Sequence, residues 1–177
     1  MQARIEYMKV APNAMSAMLG LEHYVRQSGL DASLLELVKL RASQINGCAY
    51  CIDMHTKDAR ARGEPEQRLY AVAVWRETPF FTERERAGLA WTQAVTQVSW
   101  QHVPEDVYQL ARQHFDEKEL VDLTMAIIAI NRWNRLAISF WTVPGMYQPA
   151  PGGKKTAAAS RASASAPGQE RDHTRSH

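Results

Sequence analysis

Two cysteines and a histidine stand close together in the segment QINGCAYCIDMHTKDAR, residues 44 to 60. Cys48 and Cys51 are three positions apart, His55 follows four positions later, and the chain has no other cysteine. A thiol pair of this kind can cycle between dithiol and disulfide, or can supply half of a metal site. The same residues could also be ordinary members of a buried helix. The spacing and the neighbouring elements must decide between these three interpretations.

Helical geometry places the three side chains on one face. At about 100° per residue, a helix over this segment directs Cys48, Cys51 and His55 from a single arc of about 60°, whereas Tyr50 points the opposite way. The i,i+3 spacing brings the two sulfurs within reach of a disulfide. Exposed backbone N–H groups at a helix amino terminus favour a thiolate over a thiol. The segment therefore predicts a reactive thiol pair.

Glu36 is the carboxylate that would complete such a site. If Asn46 and Gly47 fold the two flanking helices into an antiparallel hairpin, Glu36 lies level with His55. Glu36 would then orient the imidazole and raise its basicity, and the imidazole could take a proton from a thiol directly or through water. The alternative is that Glu36 is a solvated carboxylate on a helix surface.

The elements that must position these residues follow a helical period, and strand patterns are absent. N-caps are predicted at Asp31 and, as capping boxes with the residue three positions on, at Thr82 and Asp116. We predict helices over Met15–Gln27, after Asp31 in SLLELVKLRASQI, over Cys48–Arg62 up to Gly63, over about 65–76 from Pro65, in ERERAGLAWTQAVTQ, from Pro104, and in ELVDLTMAIIAINRWNRLAISF. The expected fold class is a compact all-α bundle of six to eight helices, with the CxxC pair at the start of a core helix.

The composition predicts one domain and a tail. With 177 residues, 45% of them hydrophobic, the chain can bury one core. We assign residues 1–148 to the all-α domain and residues 149–177, which are rich in Ala, Ser, Gly, Pro and charge, to a disordered low-complexity tail.

Charge and hydropathy limit the partners and the cellular location that the sequence predicts. The net charge is only +2 and the basic residues are scattered, which argues against a nucleic-acid partner. No stretch reaches the roughly 18 apolar residues of a membrane span, and the first residues do not resemble a leader, so a cytoplasmic location without membrane contact is expected. In a reducing compartment a permanent Cys48–Cys51 staple has little use, which favours a functional pair.

The residues carry a resemblance to a known family. The pattern Glu36, eleven residues, CAYC, three residues, His55 resembles the active-site signature of the AhpD-like alkylhydroperoxidases within the carboxymuconolactone decarboxylase family. The flanking segments LVKLRASQINGCAYCIDMHTKDAR and IAINRWNRLAISF are also similar to that family, and the likeness covers about residues 5 to 148. One position departs: some peroxidases of the family have a histidine just before the second cysteine, where this chain has Tyr50.

The resemblance implies a cofactor-free, thiol-dependent peroxidase. Cys51 would be the peroxidatic thiolate that attacks the O–O bond of an alkyl hydroperoxide or hydrogen peroxide, and Cys48 would resolve the sulfenic acid into a disulfide. Glu36 and His55 would form the proton relay, which Tyr50 would shorten. An external dithiol, such as the lipoyl group of another protein, would reduce the disulfide. The resemblance also implies a homotrimer or homohexamer, consistent with the large apolar surface of the helix from Leu120 to Phe140.

Other functions stay open from the sequence alone. The protein could be a general disulfide oxidoreductase or a redox-stress module, a carboxymuconolactone decarboxylase-like lyase that works without the thiols, or a non-enzymatic helical assembly. A structural zinc site has only three clustered ligands, because His23, His102 and His114 are remote in sequence and no second CxxC exists. No metal ligand is therefore assigned.

Overall fold

The computed structural model describes residues 2–149 and is helical, with no strand among them. The predicted tail, apart from its first residue, lies outside the described residues. The elements, in chain order, are α1 (Tyr7–Val10), α2 (Pro12–Gln27), α3 (Ala32–Asn46), α4 (Ala49–Ala61), α5 (Glu66–Ala71), a 3-10 helix (Val72–Glu77), α6 (Glu83–Thr96), α7 (Val98–Gln101), α8 (Glu105–His114) and α9 (Glu117–Ser139). The all-α prediction is confirmed, and the CxxC pair stands at the start of α4.

Polar side chains fix the helix starts, as predicted. Oδ1 of Asp31 accepts a hydrogen bond from the backbone N–H of Leu34 at 3.0 Å, which satisfies a free donor at the start of α3. Thr82 and Asp116 both form complete capping boxes at the starts of α6 and α9. Each N-cap therefore determines where a core helix begins.

Helix α3 is the centre of the domain, and α4, α6 and α9 pack around it. Leu34, Leu35 and Val38 belong to one apolar cluster with α6, α8 and α9. Leu37 and Leu40 belong to a second cluster with α4, α5, the 3-10 helix and α6. The buried polar side chains of α3, those of Glu36, Lys39 and Ser43, are therefore held in a low-dielectric environment.

The turn between α3 and α4 sets the geometry of the site. Gly47 ends α3 with φ 69°, the left-handed conformation that glycine adopts without steric cost. The N–H of Cys48 then donates to the carbonyl of Ser43 at 3.0 Å. Asn46 Nδ2 donates to the side-chain oxygens of Asn131 and Asn134 at 3.0 and 2.8 Å, which ties the turn to α9. The predicted antiparallel hairpin is therefore present and anchored.

Some element details differ from the prediction. The segment predicted as one helix over about 65–76 is divided, because Val74 has non-helical angles (φ −119°, ψ 32°) within the 3-10 helix. The two four-residue helices, α1 and α7, were not predicted, since such short elements show no hydrophobic period. Within residues 2–149, every helix is too short or too polar to cross a bilayer.

Candidate active site

Cys48 and Cys51 are bonded to each other at the amino terminus of α4, with their Cα atoms 5.4 Å apart. Cys48 is the N-cap residue, and its Sγ accepts the backbone N–H of Cys51 at 3.4 Å. The sequence predicted that α4 begins at Cys48, whereas the helix begins one residue later. Both sulfurs lie at the amino terminus of α4, where exposed backbone N–H groups and the helix dipole favour negative charge.

The two cysteines have different surroundings. Cys51 lines a cavity of about 580 Å³, a size typical of small-molecule sites. Cys48 is enclosed by apolar neighbours that include Ala42, Ile130 and Ala137. Of the two sulfurs, Cys51 is therefore the one that faces a space large enough for a ligand.

Glu36 and His55 form a buried pair on the wall of the same cavity. Nδ1 of His55 lies 2.9 Å from Oε2 of Glu36, and the two residues are only 5% and 6% exposed. The alternative of a solvated Glu36 is wrong. Nε2 of His55 is buried and has no hydrogen-bond partner among residues 2–149. The ring can therefore exchange a proton with a group that enters the cavity.

Opposing effects act on the charge of Glu36. Burial raises the pKa of its carboxyl, but the hydrogen bond with His55 and the positive charges of His55, Lys39 and Arg62 outweigh burial and leave the pKa lowered. Nε of Arg62 lies 3.8 Å from Oε1 of Glu36. Glu36 is consequently an anion at neutral pH and an acceptor that orients the imidazole.

Tyr50 lies against the same cavity as Cys51, although the helical arc predicted that it points away. Tyr50 is partly buried and packs against the apolar cluster of the two cysteines. Burial, together with Tyr7, Asp53 and Asp58, raises the pKa of Tyr50. Tyr50 therefore presents a neutral phenol beside the cysteine pair.

A segment after α9 completes the cavity wall, and no local sequence pattern predicts this contact. Tyr147 lines the cavity and donates its phenolic hydrogen to Oδ1 of Asp58 at 2.8 Å. Burial and the contact with Asp58 raise the pKa of Tyr147 to about 12. Nζ of Lys57 donates to the carbonyls of Gly145 and Tyr147, both at 3.1 Å. These bonds hold the segment against α4. The signal for Asp58 is its i+3 spacing from His55.

Three further polar residues of the cavity were not predicted as members of the site. Nζ of Lys39 lies 3.5 Å from Oε2 of Glu22, and Nε1 of Trp133 donates to Oε1 of Glu22 at 3.0 Å. All three residues line the cavity. Trp133 also packs against the apolar cluster that contains Cys48 and Cys51. A signal for Lys39 was available, since it is a charge one turn after Glu36 that stands between the apolar residues Val38 and Leu40.

Glu36, His55 and Asp58 could also approach a cation, because one potential ligand atom from each lies within 4.8 Å of the others. Their existing contacts compete with that use. Glu36 is bonded to His55 and faces Arg62, and Asp58 accepts the hydroxyl of Tyr147. The potential ligand atoms are already engaged by other protein groups, so we interpret these three residues as part of a hydrogen-bonded network and not as a metal site.

This fold and site define an all-helical protein with a thiol pair and a Glu–His pair, and the comparisons with known proteins agree. The model of the carboxymuconolactone decarboxylase family matches residues 12–94. The uncharacterized protein YdfG of Bacillus subtilis (strain 168) is 43% identical over 139 residues, which cover 78% of this chain and 95% of YdfG. The chain belongs to the carboxymuconolactone decarboxylase family.

Solved structures place it among the AhpD-like members. A protein of unknown function from Agrobacterium tumefaciens, provisionally named as the antioxidant defence protein AhpD, superposes with a TM-score of 0.80 at 46% identity, over 82% of this chain and 100% of that one. The debrominase Bmp8 superposes with a TM-score of 0.72 at 19% identity, over 78% of this chain and 75% of that one. The second likeness shows the fold alone. The fold and family are associated with enzymes.

Proposed function

We propose that the protein is a thiol-dependent peroxidase that reduces organic hydroperoxides or hydrogen peroxide. The observation that carries the proposal is that Cys51, half of a bonded cysteine pair, faces the same ligand-sized cavity as the hydrogen-bonded Glu36–His55 pair. A nucleophile, a base with a free nitrogen and an orienting carboxylate are the parts that thiol chemistry on a peroxide requires.

The reaction divides into two balanced oxidation steps. In the first, the Cys51 thiolate attacks the terminal oxygen of ROOH, the O–O bond breaks, and the leaving RO⁻ takes a proton to give ROH and a sulfenic acid on Cys51. In the second, the Cys48 sulfur attacks the Cys51 sulfur, and the sulfenic hydroxyl leaves as water after gaining the thiol proton. His55 would take the proton from the Cys51 thiol and return it to the leaving oxygen, while Glu36 holds the ring.

An external dithiol closes the cycle. It transfers two electrons and two protons to the Cys48–Cys51 disulfide and leaves as a disulfide itself. A dithiol on a flexible arm, such as the lipoyl group of a partner protein, fits a disulfide that lies against a cavity. This reductant is part of the proposal.

A stopped-flow experiment tests the peroxidase function. The pre-reduced full chain is mixed with cumene hydroperoxide or hydrogen peroxide, and disulfide formation is followed by mass spectrometry. We expect fast oxidation in the wild type, no reaction in Cys51→Ser, and a dimedone-trappable sulfenic acid in Cys48→Ser. A wild type that reacts no faster than a free thiol would overturn the proposal. If such a protein still exchanged rapidly with dihydrolipoamide, general disulfide oxidoreductase activity would replace it.

We also propose that the chain forms a homo-oligomer. Val121 and Ile128 lie two turns apart on one face of α9 and are 60% and 45% exposed, an apolar surface that a second copy could cover. Of the tryptophans, Trp91 is buried in the core, whereas Trp100 is 88% exposed. Sedimentation equilibrium should give a trimer or hexamer, and Ile128→Lys should lower the association state. A monomeric wild type at micromolar concentration would exclude this assembly.

A further inference from the structure

Lys39 is a buried cation without a short hydrogen bond to a carboxylate. Its side chain is 8% exposed, and its nearest carboxylate, that of Glu22, lies 3.5 Å from Nζ. Charge-assisted hydrogen bonds are usually about 2.7–2.9 Å long, and an ammonium has three donors to satisfy. Lysine is rarely buried without a close partner, because desolvation of the charge is costly. The ammonium therefore retains unused donor capacity, and Lys39 lines the cavity.

The register of the α3–α4 hairpin places Lys39 level with the cysteine pair. Two contacts fix this register: Glu36 with His55, and the carbonyl of Ser43 with the N–H of Cys48. The seven residues from Glu36 to Ser43 along α3 therefore run beside the seven residues from His55 back to Cys48 along α4. Lys39 is three residues after Glu36, and Cys51 is four residues before His55. Lys39 and Cys51 consequently lie about one helical turn from the Glu–His pair, in the same direction and on the same cavity.

The tryptophan of the NRWNR segment links the ammonium to the cysteines. Trp133 packs against the apolar cluster that contains Cys48 and Cys51, and its Nε1 donates to Glu22, the partner of Lys39. Glu22 therefore has one oxygen fixed by α9 and the other facing α3. Glu22 thus connects the Lys39 ammonium to the tryptophan that packs against the cysteines.

Other ionisable groups also face the cavity and contribute to its field. They are Tyr7 of α1, Glu22 and Arg26 of α2, Glu36 and Lys39 of α3, Tyr50, His55, Asp58 and Arg62 of α4 and its end, and Tyr147. Glu36 is engaged by His55 and Arg62, and Asp58 accepts a hydrogen bond from Tyr147. Among the cationic members, Lys39 is the buried one that the hairpin register brings level with Cys51.

We propose that the ammonium of Lys39, held in place by Glu22, stabilises the thiolate of Cys51 in the reduced protein. When Cys51 loses its proton, one negative charge forms on its buried sulfur. The positive charge and free N–H groups of the Lys39 ammonium stabilise that charge. This inference deepens the proposed function, since the thiolate is the nucleophile of that reaction. It assigns to Lys39 a charge-stabilising role outside the Glu–Cys–Cys–His pattern.

The test measures the ionisation of Cys51 directly. The rate of iodoacetamide alkylation of the reduced Cys48→Ser protein, which has one thiol, is followed by mass spectrometry from pH 5 to 10. We expect Lys39→Met to raise the midpoint by about one pH unit or more and to slow alkylation near neutral pH about tenfold. Lys39→Arg should keep the midpoint near that of the parent. Lys9→Met, which removes an exposed lysine, should leave it unchanged.

A second variant distinguishes the loss of attraction between Lys39 and the Cys51 thiolate from repulsion between that thiolate and an unpaired Glu22. Lys39→Met leaves the Glu22 carboxylate without its cation, and that charge alone could disfavour a thiolate or the fold. Glu22→Gln with Lys39→Met removes both charges, and its midpoint should still rise. An unchanged midpoint in this double variant would overturn the inference. Because alkylation needs no peroxide, the Lys39 effect can be measured even if the protein is not a peroxidase. Conversely, a peroxidase whose Cys51 midpoint does not depend on Lys39 would overturn this inference and leave the proposed function intact.

Discussion

Nδ1 of His55 and Oε2 of Glu36 are 2.9 Å apart across the α3–α4 hairpin. An ionised carboxylate can only accept, so this contact places a proton on Nδ1, and whenever the ring is neutral its lone pair lies on Nε2. Nε2 is the buried nitrogen without a partner among residues 2–149. The pair therefore presents a base to the cavity, with its tautomer fixed from α3.

Replacement of Glu36 by glutamine should slow the peroxide reaction. An amide can still accept from Nδ1, but it carries no charge to stabilise a protonated imidazole, so His55 becomes a weaker base. We expect oxidation of the reduced protein by cumene hydroperoxide to slow by about tenfold or more, within the range general acid–base catalysis contributes. Glu66→Gln, which alters a surface carboxylate paired with Arg60, is the matched control and should retain the wild-type rate.

The lowered pKa of Glu36 also predicts how stability depends on pH. Because the carboxyl has a lower pKa in the folded chain than its ordinary value of 4.5, its charge stabilises the fold above that value. That contribution is lost as the pH falls through the folded pKa. Thermal unfolding from pH 7 to 3 should therefore show the wild type losing more stability on acidification than Glu36→Gln. A difference between the two proteins that does not change with pH would contradict this assignment.

Much of the fold and the centre of the site could be predicted because local chemistry encodes them. Asp31, Thr82 and Asp116 are N-caps that need only the first turn of their own helix. The meeting of Glu36 and His55 required one assumption, a tight hairpin at Gly47, and the left-handed conformation of that glycine satisfies it. Both inferences depend on residues fewer than twenty positions apart.

The remainder of the site depends on contacts that no local pattern contains. Trp133 and Glu22 are 111 positions apart, and Tyr147 and Asp58 are 89 apart. Packing of α2, α9 and the segment after α9 brings these pairs together. Asp58 shares the helical period of Cys51 and His55, but Glu22, Trp133 and Tyr147 lie outside α4. The orientation of Tyr50 was wrong for a related reason. A helical arc gives the direction of Cβ, whereas the ring of a long side chain can lie elsewhere.

The buried amide of Asn134 should be important for stability. Asn134 is fully buried, accepts from Asn46 at 2.8 Å and donates to Oγ of Ser43 at 3.1 Å, so it joins α9 to the end of α3. Asn134→Ala removes both bonds and leaves polar partners unsatisfied, which should lower the free energy of unfolding by about 1–3 kcal/mol. Urea unfolding measures the change. Asn13→Ala, at an exposed position of α2, should change stability little by comparison, and equal effects would exclude a special role for the network.

Two glycine substitutions should change stability in opposite directions. Gly47 has φ 69° at the end of α3, and alanine there would meet no neighbouring atom within 4 Å but would adopt a left-handed conformation. We expect Gly47→Ala to destabilise the protein by about 1–2 kcal/mol. Gly20 lies within α2, also with open space at its Cβ position, so Gly20→Ala should stabilise by about 0.5–1 kcal/mol through its better helix propensity. Urea unfolding of both variants separates backbone strain from steric crowding. If Gly47→Ala proved neutral or stabilising, the left-handed turn that aligns Glu36 with His55 would be incorrect.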